Sequence, residues 1–187
     1  MSMSPASASG SCSKDSCGGT FMGIRIIDAA PGDIPLLARL IRDSFQDVAE
    51  RFHLTSENAP KHPSNCEPVW VQSAIEKGIR YYLLLNADTP CGCVAIERAN
   101  PEVCYLERLS VLPEFRRKGF GEALLRHAVA EARDAGAHRM EIGIIAAQTD
   151  LRDWYMKFWF SLRDTARFKH LPFEVAFMFK NIQASDG

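Results

Sequence analysis

Arg116–Arg117–Lys118–Gly119–Phe120–Gly121 sets three cations ahead of two closely spaced glycines, at the junction of two unlike segments. Before it, Val103–Leu112 reads as a strand. After it, Leu125, Ala128, Val129 and Ala132 recur at i, i+3, i+4 and i+7, the stripe of an amphipathic helix that runs to about Asp134 and stops at Gly136. The first N–H groups of a helix have no internal acceptor and carry the positive end of its dipole. Glycines at the entry let the main chain approach an anion without a side chain in the way. Strand, basic loop, glycines and helix in this order make a pyrophosphate cradle, with Arg116, Arg117 and Lys118 as further donors. Alone, a G-x-G is usually a tight turn and a basic triplet a solvated patch; the order gives them meaning. Glu122–Ala123–Leu124 offers no third glycine, so this is not a dinucleotide fingerprint. No Gly-Lys-Ser/Thr follows, so it is not a P-loop.

Other elements must hold this loop in place. Ile24–Ile27 reads as a strand, and Pro31–Gly32–Asp33 as a turn with Asp33 as N-cap. A helix follows with Ile34, Leu37, Leu40 and Ile41 on one side. Residues 51–68 are polar and irregular, either a wall of a substrate entrance or a plain connector. Trp70–Lys77 reads as a helix ended by Gly78, with Trp70 a core anchor. Arg80–Leu85, Gly92–Ile96 and Val103–Leu112 are three strands joined by short turns, hence antiparallel neighbours. Met140–Ile145 reads as a buried strand, Thr149–Phe158 as a short helix and Val175–Lys180 as the last strand.

The chain has 187 residues, 47% of them hydrophobic and 24% charged, with a net charge of −1. That suits one α/β domain over residues 21–183, preceded by a Ser/Ala/Gly-rich tail, residues 1–20, too poor in large apolar side chains to order itself. Neither nucleic acid nor an anionic membrane is an expected partner, and no apolar run approaches the roughly 20 residues of a membrane span. With no secretory or transit signal, a soluble cytoplasmic protein is expected. Of six cysteines, Cys91 and Cys93 are spaced C-x-C, which is no zinc or redox motif. They are expected on one face of a strand as reduced, partly buried thiols, with no metal site. His127 and His138 are expected at the surface or core edge.

Arg116-x-x-Gly119-x-Gly121, with Tyr105–Phe115 before it and the order of elements from Ile24 to about Ile182, resembles the GNAT superfamily of acetyl-CoA-dependent N-acyltransferases. The resemblance implies a mixed, mostly antiparallel central sheet with helices on both faces and a splayed cleft between the fourth and fifth strands. Backbone groups of Leu109, Ser110 and Val111 would bond the pantetheine arm of acetyl-CoA. N–H groups from Arg117 through Lys118, Gly119, Phe120 and Gly121 to Glu122 would hold the pyrophosphate. Gln148 would contact the cofactor, and Tyr155 matches the family's proton donor to the leaving thiolate. The family's turn glycine after this tyrosine is replaced by Trp159, a departure that bears on where Tyr155 points. The resemblance also allows a homodimer.

The activity so implied is acetyl transfer to a primary amine by direct attack on the thioester, the acceptor being a metabolite or a protein amine. The alternative is a silent acyl-CoA-binding module. An amine with a pKa near 10 reaches a neutral site as ammonium and must lose a proton before it attacks. Glu107, alternating with Leu109 and Val111 on one strand face, accepts that proton, or else only positions the ammonium or pairs with Arg108 or another base. The Val111 N–H would polarise the thioester carbonyl. The alternative for Tyr155 is a packing residue among Trp154, Phe158, Trp159 and Phe160. Leu171–Val175 either lines the acceptor side or merely packs a hairpin.

Overall fold

The computed structural model describes residues 23–182; the N-terminal tail, with Cys12 and Cys17, lies outside the described residues. The strands are β1 (Ile24–Asp28), β2 (Arg80–Asn86), β3 (Thr89–Arg98), β4 (Val103–Val111), β5 (Arg139–Ile145), β6 (Ser161–Arg167) and β7 (Glu174–Asn181). They form one sheet in the order β1-β2-β3-β4-β5-β7-β6. Every neighbouring pair is antiparallel except β4 and β5. The helices are α1 (Ile34–Ser44), α2 (Gln46–Arg51), α3 (Pro68–Glu76), α4 (Phe120–Asp134) and α5 (Thr149–Met156).

Strand alternation divides the core into two layers. Tyr82, Leu84, Val94 and Ile96 point to the face covered by α4 and α5, where Leu124, Leu125, Ala128 and Ala132 are buried. Tyr81, Leu83, Cys93 and Ala95 point to the other face, under Leu37, Leu40 and Ile41 of α1 and Val71 of α3. Each fully buried leucine in these stripes contributes roughly 1.5–3 kcal/mol. A third cluster joins Ala49, Leu54 and Ala59 to Ile145, with Phe173 against it. The irregular 51–68 segment thus packs on the end of β5 beside the 171–175 turn.

Two bulges change which side chains share a face. Leu84 pairs with Gly92 but Leu85 with Pro90, so Cys91 is the extra residue. Cys91 therefore joins the α4 layer and Cys93 the α1 layer, which corrects the expectation that they share a face. On β4, Cys93 pairs with Ser110 and Ala95 with Glu107, leaving two β4 residues opposite one β3 residue. Arg108 takes φ +53 there. Glu107 consequently faces the α1–α3 side, whereas Leu109 and Val111 pack against the α4 side. A strict period of two fails at such an insertion.

Three smaller differences have local causes. β6 was not expected because Ser161–Arg167 is an edge strand whose side chains are almost all exposed, so it carries no apolar alternation. α2 restarts the chain directly after α1. The Asp33 carboxylate accepts from the Ala30 N–H at 2.8 Å instead of capping α1. Gly78 and Gly136 end their helices at φ +90 and +85, as read from the sequence.

β4 and β5 pair only where Val103, Cys104 and Tyr105 meet Arg139, Met140 and Glu141. Beyond that, β4 stays with β3 as far as Val111, and β5 stays with β7 as far as Ile145. The sheet splits there. No helix among the described residues is long and apolar enough to cross a membrane.

Candidate active site

The facing edges of residues 106–111 and 142–145 have no strand partner, so their main-chain groups border an open slot. At its end the chain passes through a short 3-10 turn, Pro113–Phe115, into the loop before α4. Arg117 at φ +60 and Gly119 at φ +82 both lie in the left-handed region. Alternation of hand makes successive N–H groups converge, as in an anion nest. Ala123 is the first residue whose N–H finds a helical acceptor, Gly119 O at 3.0 Å. Among the described residues no backbone acceptor takes the N–H of residues 117–122. Gly119 is needed for its φ. Gly121 is not: a methyl there would sit 3.6 Å from the Trp154 ring, an ordinary contact.

The cationic side chains divide the work differently from the sequence-based expectation. The Arg116 guanidinium donates from Nε to Val111 O at 3.1 Å and from another nitrogen to Ser44 O at 2.6 Å, and it grips the Asp47 carboxylate. It braces α1 and α2 against the end of β4 and has no free edge for a phosphate. Its hydrogen bond also holds the Asp47 carboxyl below the usual range. Arg117 and Lys118 are exposed beside the nest, and the Lys118 ammonium lies 5.1 Å from the Phe115 ring centre. Phe120 is buried and stacks on Phe115. Glu122 pairs with Arg126 one turn on, so its charge at the nest is balanced.

On the α4 side of the slot, Tyr155 is buried in the same cluster as Leu109 and Val111, with Trp154 and Phe160 edge-on to its ring. Burial alone pushes its hydroxyl well above the ordinary tyrosine value. Trp159 takes φ +64, the conformation a glycine would adopt, and Phe160 returns to the core. The helix end therefore runs as a glycine would allow. Gln148 is half-buried at the start of α5 without capping it.

On the opposite side, Glu107 lies two residues past the last β4–β5 pair. Burial pushes its carboxyl up, Arg108 opposes the shift and Glu97 adds to it. It lines a cavity of about 200 Å³ with Cys66, Trp70, Tyr81, Glu97 and Arg108. Ser110 is buried on this side, its hydroxyl donating to Arg108 O at 2.9 Å. Buried His62 near Arg108 is held down to about 4 by desolvation and by that arginine, so it is neutral at pH 7. Arg108, Glu97 and Tyr81 were not singled out from the sequence as site residues. Only the bulge brings Arg108 here, and nothing in the sequence pattern announces it. Among the described residues no group of three or more His, Cys, Asp or Glu could hold a metal ion.

Split sheet and nest together leave one slot bordered by unpaired main-chain groups and ending in an anion-binding turn. The sequence profile described as "Acetyltransferase (GNAT) family" matches residues 40–160. The chain belongs to the GNAT family of acetyltransferases. Among curated proteins no sequence relative matches it. Solved structures share the fold. The ribosomal-protein-S18-alanine N-acetyltransferase of Escherichia coli aligns at TM-score 0.69 and 15% identity, over 88% of this chain and 97% of that one. The phosphinothricin acetyltransferase of Sinorhizobium meliloti, in complex with acetyl-CoA, aligns at 0.65 and 19%, over 89% and 95%. A GNAT family acetyltransferase of Elizabethkingia anophelis with acetyl-CoA bound aligns at 0.63 and 14%, over 85% and 98%.

Proposed function

We propose that this protein is an N-acetyltransferase that moves the acetyl group of acetyl-CoA directly onto a primary amine. The observation that carries this reading is the meeting of two unmet hydrogen-bonding surfaces, the unpaired N–H groups of residues 117–122 and the open β4 edge. A pyrophosphate fits the first. An extended amide-bearing arm fits the second as an added strand along Leu109, Ser110 and Val111. Arg117 and Lys118 add charge, and Gln148 stands at the far bank of the slot. The acetyl-CoA complexes of two similar structures support the same ligand here.

Bound acetyl-CoA supplies an activated acyl carbon and a thiolate leaving group. Glu107 and Tyr155 lie on opposite faces of the split sheet, so an amine can approach from one side while sulfur departs on the other. Glu107 takes the proton of the incoming ammonium, and its raised pKa makes it a better base than a solvated carboxylate. The neutral nitrogen then bonds to the acyl carbon, with the Val111 N–H placed to polarise the carbonyl. The carbon–sulfur bond breaks, and the sulfur receives a proton while the nitrogen loses its second one. Tyr155 keeps its proton at all ordinary pH and donates a hydrogen bond to the departing sulfur. Complete transfer from so weak an acid is uphill against a thiol near 8.5, so solvent finishes the protonation. Much of the acceleration comes from holding amine and thioester together.

A silent acyl-CoA-binding module would draw its support from Trp159. That tryptophan adopts the glycine-like turn and leaves Tyr155 in the slot cluster, which favours the enzyme. By name, one similar structure acts on an alanine of a ribosomal protein and another on phosphinothricin, so fold alone does not choose the acceptor. Titration calorimetry with CoA, and thiol release from acetyl-CoA across a panel of amines, test the reading. Heat with CoA, lost in Gly119→Val, and turnover of at least one amine are expected. Unchanged uptake by Gly119→Val, or binding without turnover on any amine, would overturn it.

A further inference from the structure

The cavity beside Glu107 has a charge pattern that base catalysis alone does not need. Glu97 and Glu107 lie on one face of neighbouring strands, since Ala95 pairs with Glu107 and Glu97 with Tyr105. Diagonal neighbours of this kind are within reach of long side chains. Arg108 enters the same cavity from the bulge. Arg108 is half-buried, and its charge acts on His62, Cys66, Tyr81 and Glu107. It makes no hydrogen bond to Glu107. His62, the one histidine near it, is neutral and occupied with Ser64 at 2.8 Å. A half-buried guanidinium without such a partner is free to take a carboxylate on its fork.

The space is also small. At about 200 Å³ it holds roughly seven waters at ~30 Å³ each, below the usual range of ligand pockets. Trp70, Val71, Ala74 and Ile79 supply one apolar wall. Two carboxylates and a guanidinium lining so short a cavity match a molecule carrying both charges close together.

We infer that the acceptor is a free amino acid or a close analogue, its carboxylate on the Arg108 guanidinium and its amino group at Glu107, with Glu97 adding negative potential at the ammonium end. This rests on the acetyltransferase reading and gives its substrate class. The step is unchanged: the nitrogen–carbon bond forms, the carbon–sulfur bond breaks, and Glu107 takes the ammonium proton. The fixed carboxylate adds the orientation that brings nitrogen to the thioester. Peptide amino termini lack the adjacent carboxylate and would leave Arg108 unpaired, which a site of this kind rejects strongly.

Thiol release from acetyl-CoA, measured with the twenty free amino acids, their α-carboxamides, their decarboxylated amines and short peptides, tests this. At least one free amino acid is expected to exceed its own carboxamide and amine in kcat/KM on the order of a hundredfold. Arg108→Gln should raise KM for that amino acid by a similar factor, shrink the ratio to its carboxamide and leave CoA heat unchanged. Arg108→Lys should recover part of the ratio, since it keeps the charge without the fork. Amines or peptides turned over as well as free amino acids, with the ratio unmoved in Arg108→Gln, would overturn the inference and leave the acetyltransferase reading standing. CoA binding with no turnover of any amine would overturn both.

Discussion

Gly92 lies so close beside Ser110 that a Cβ at position 92 would stand 2.3 Å from the Ser110 carbonyl oxygen. The atom in the way is backbone, and the strand it belongs to is the bulged one bordering the slot. Gly92→Ala must therefore push β3 away from β4. A loss of about 2–3 kcal/mol in unfolding free energy, the cost of overpacking without a flexible neighbour, is expected in denaturant titrations. CoA heat should fall with it, because the displaced segment is Leu109–Val111. An alanine variant as stable as the parent would mean that the two strands are not held in this register.

The same pair of strands shows how far the sequence could be read. The nest was legible because each part has a local signature: apolar strand, paired glycines, helical stripe. The antiparallel run of β2, β3 and β4 followed from short turns and the cleft from resemblance, but β6 and the full strand order did not. The bulge at Arg108 was not legible, since an arginine at φ +53 has no mark in composition. Glu107 was therefore placed on the wrong face, and the Arg108 end of the cavity went unseen. Arg116 looked like a phosphate ligand because a basic triplet carries no information about the partner across the fold. Asp47, which holds it, sits in α2, and that helix was hidden in the run after α1.

Arg116 and Arg117 are adjacent and should fail in different ways. Arg116→Ala removes hydrogen bonds to Val111 O and Ser44 O besides the Asp47 pair, and should cost about 1–3 kcal/mol of stability. Arg117→Ala, with an exposed side chain at the nest, should leave the melting temperature within a degree or so of the parent and weaken CoA binding several-fold, more at low salt than at high. The Arg116 contribution has a pH signature. Its partner Asp47 has a depressed folded pKa, so that stabilisation is present above the unfolded value near 3.8 and fades as pH falls through the folded one. Melting curves from pH 6 to pH 3 should show less acid loss in Arg116→Ala than in the parent.

Trp159 holds a left-handed φ, is 63% exposed as a residue, and has the Lys180 ammonium 5.6 Å from its ring centre. The conformation costs an L-residue roughly 1–2 kcal/mol, against about 0.5–1 kcal/mol returned by an exposed cation–π contact. Trp159→Gly removes both and should be as stable as the parent or slightly more so. Trp159→Ala keeps the strain without the contact and should be less stable than the glycine variant by about 1 kcal/mol. Turnover should survive in Trp159→Gly, since the path into Phe160 is unchanged. Its loss with CoA binding intact would mean that the tryptophan ring itself takes part in the site.

In its proposed role as base, Glu107 combines a catalytic and a stability consequence of opposite sign. Burial raises its folded pKa above the unfolded carboxylate value, so the folded state holds the proton more tightly. Stability from this group is full below the unfolded value and declines as pH rises through the folded one. Catalysis needs the ionised form, so kcat/KM should climb over the same interval with an apparent pKa above that of an exposed glutamate. Glu107→Gln separates the two. It should lower kcat by about 10²–10⁴-fold, flatten the acidic limb of the profile and leave CoA binding unchanged. It should also melt no lower than the parent at pH 7, because a neutral amide occupies the cavity without the cost of a buried charge. A variant that loses stability while keeping the acidic limb would make Glu107 a structural ion and move the base elsewhere, with Glu97 the nearest carboxylate lining the same cavity.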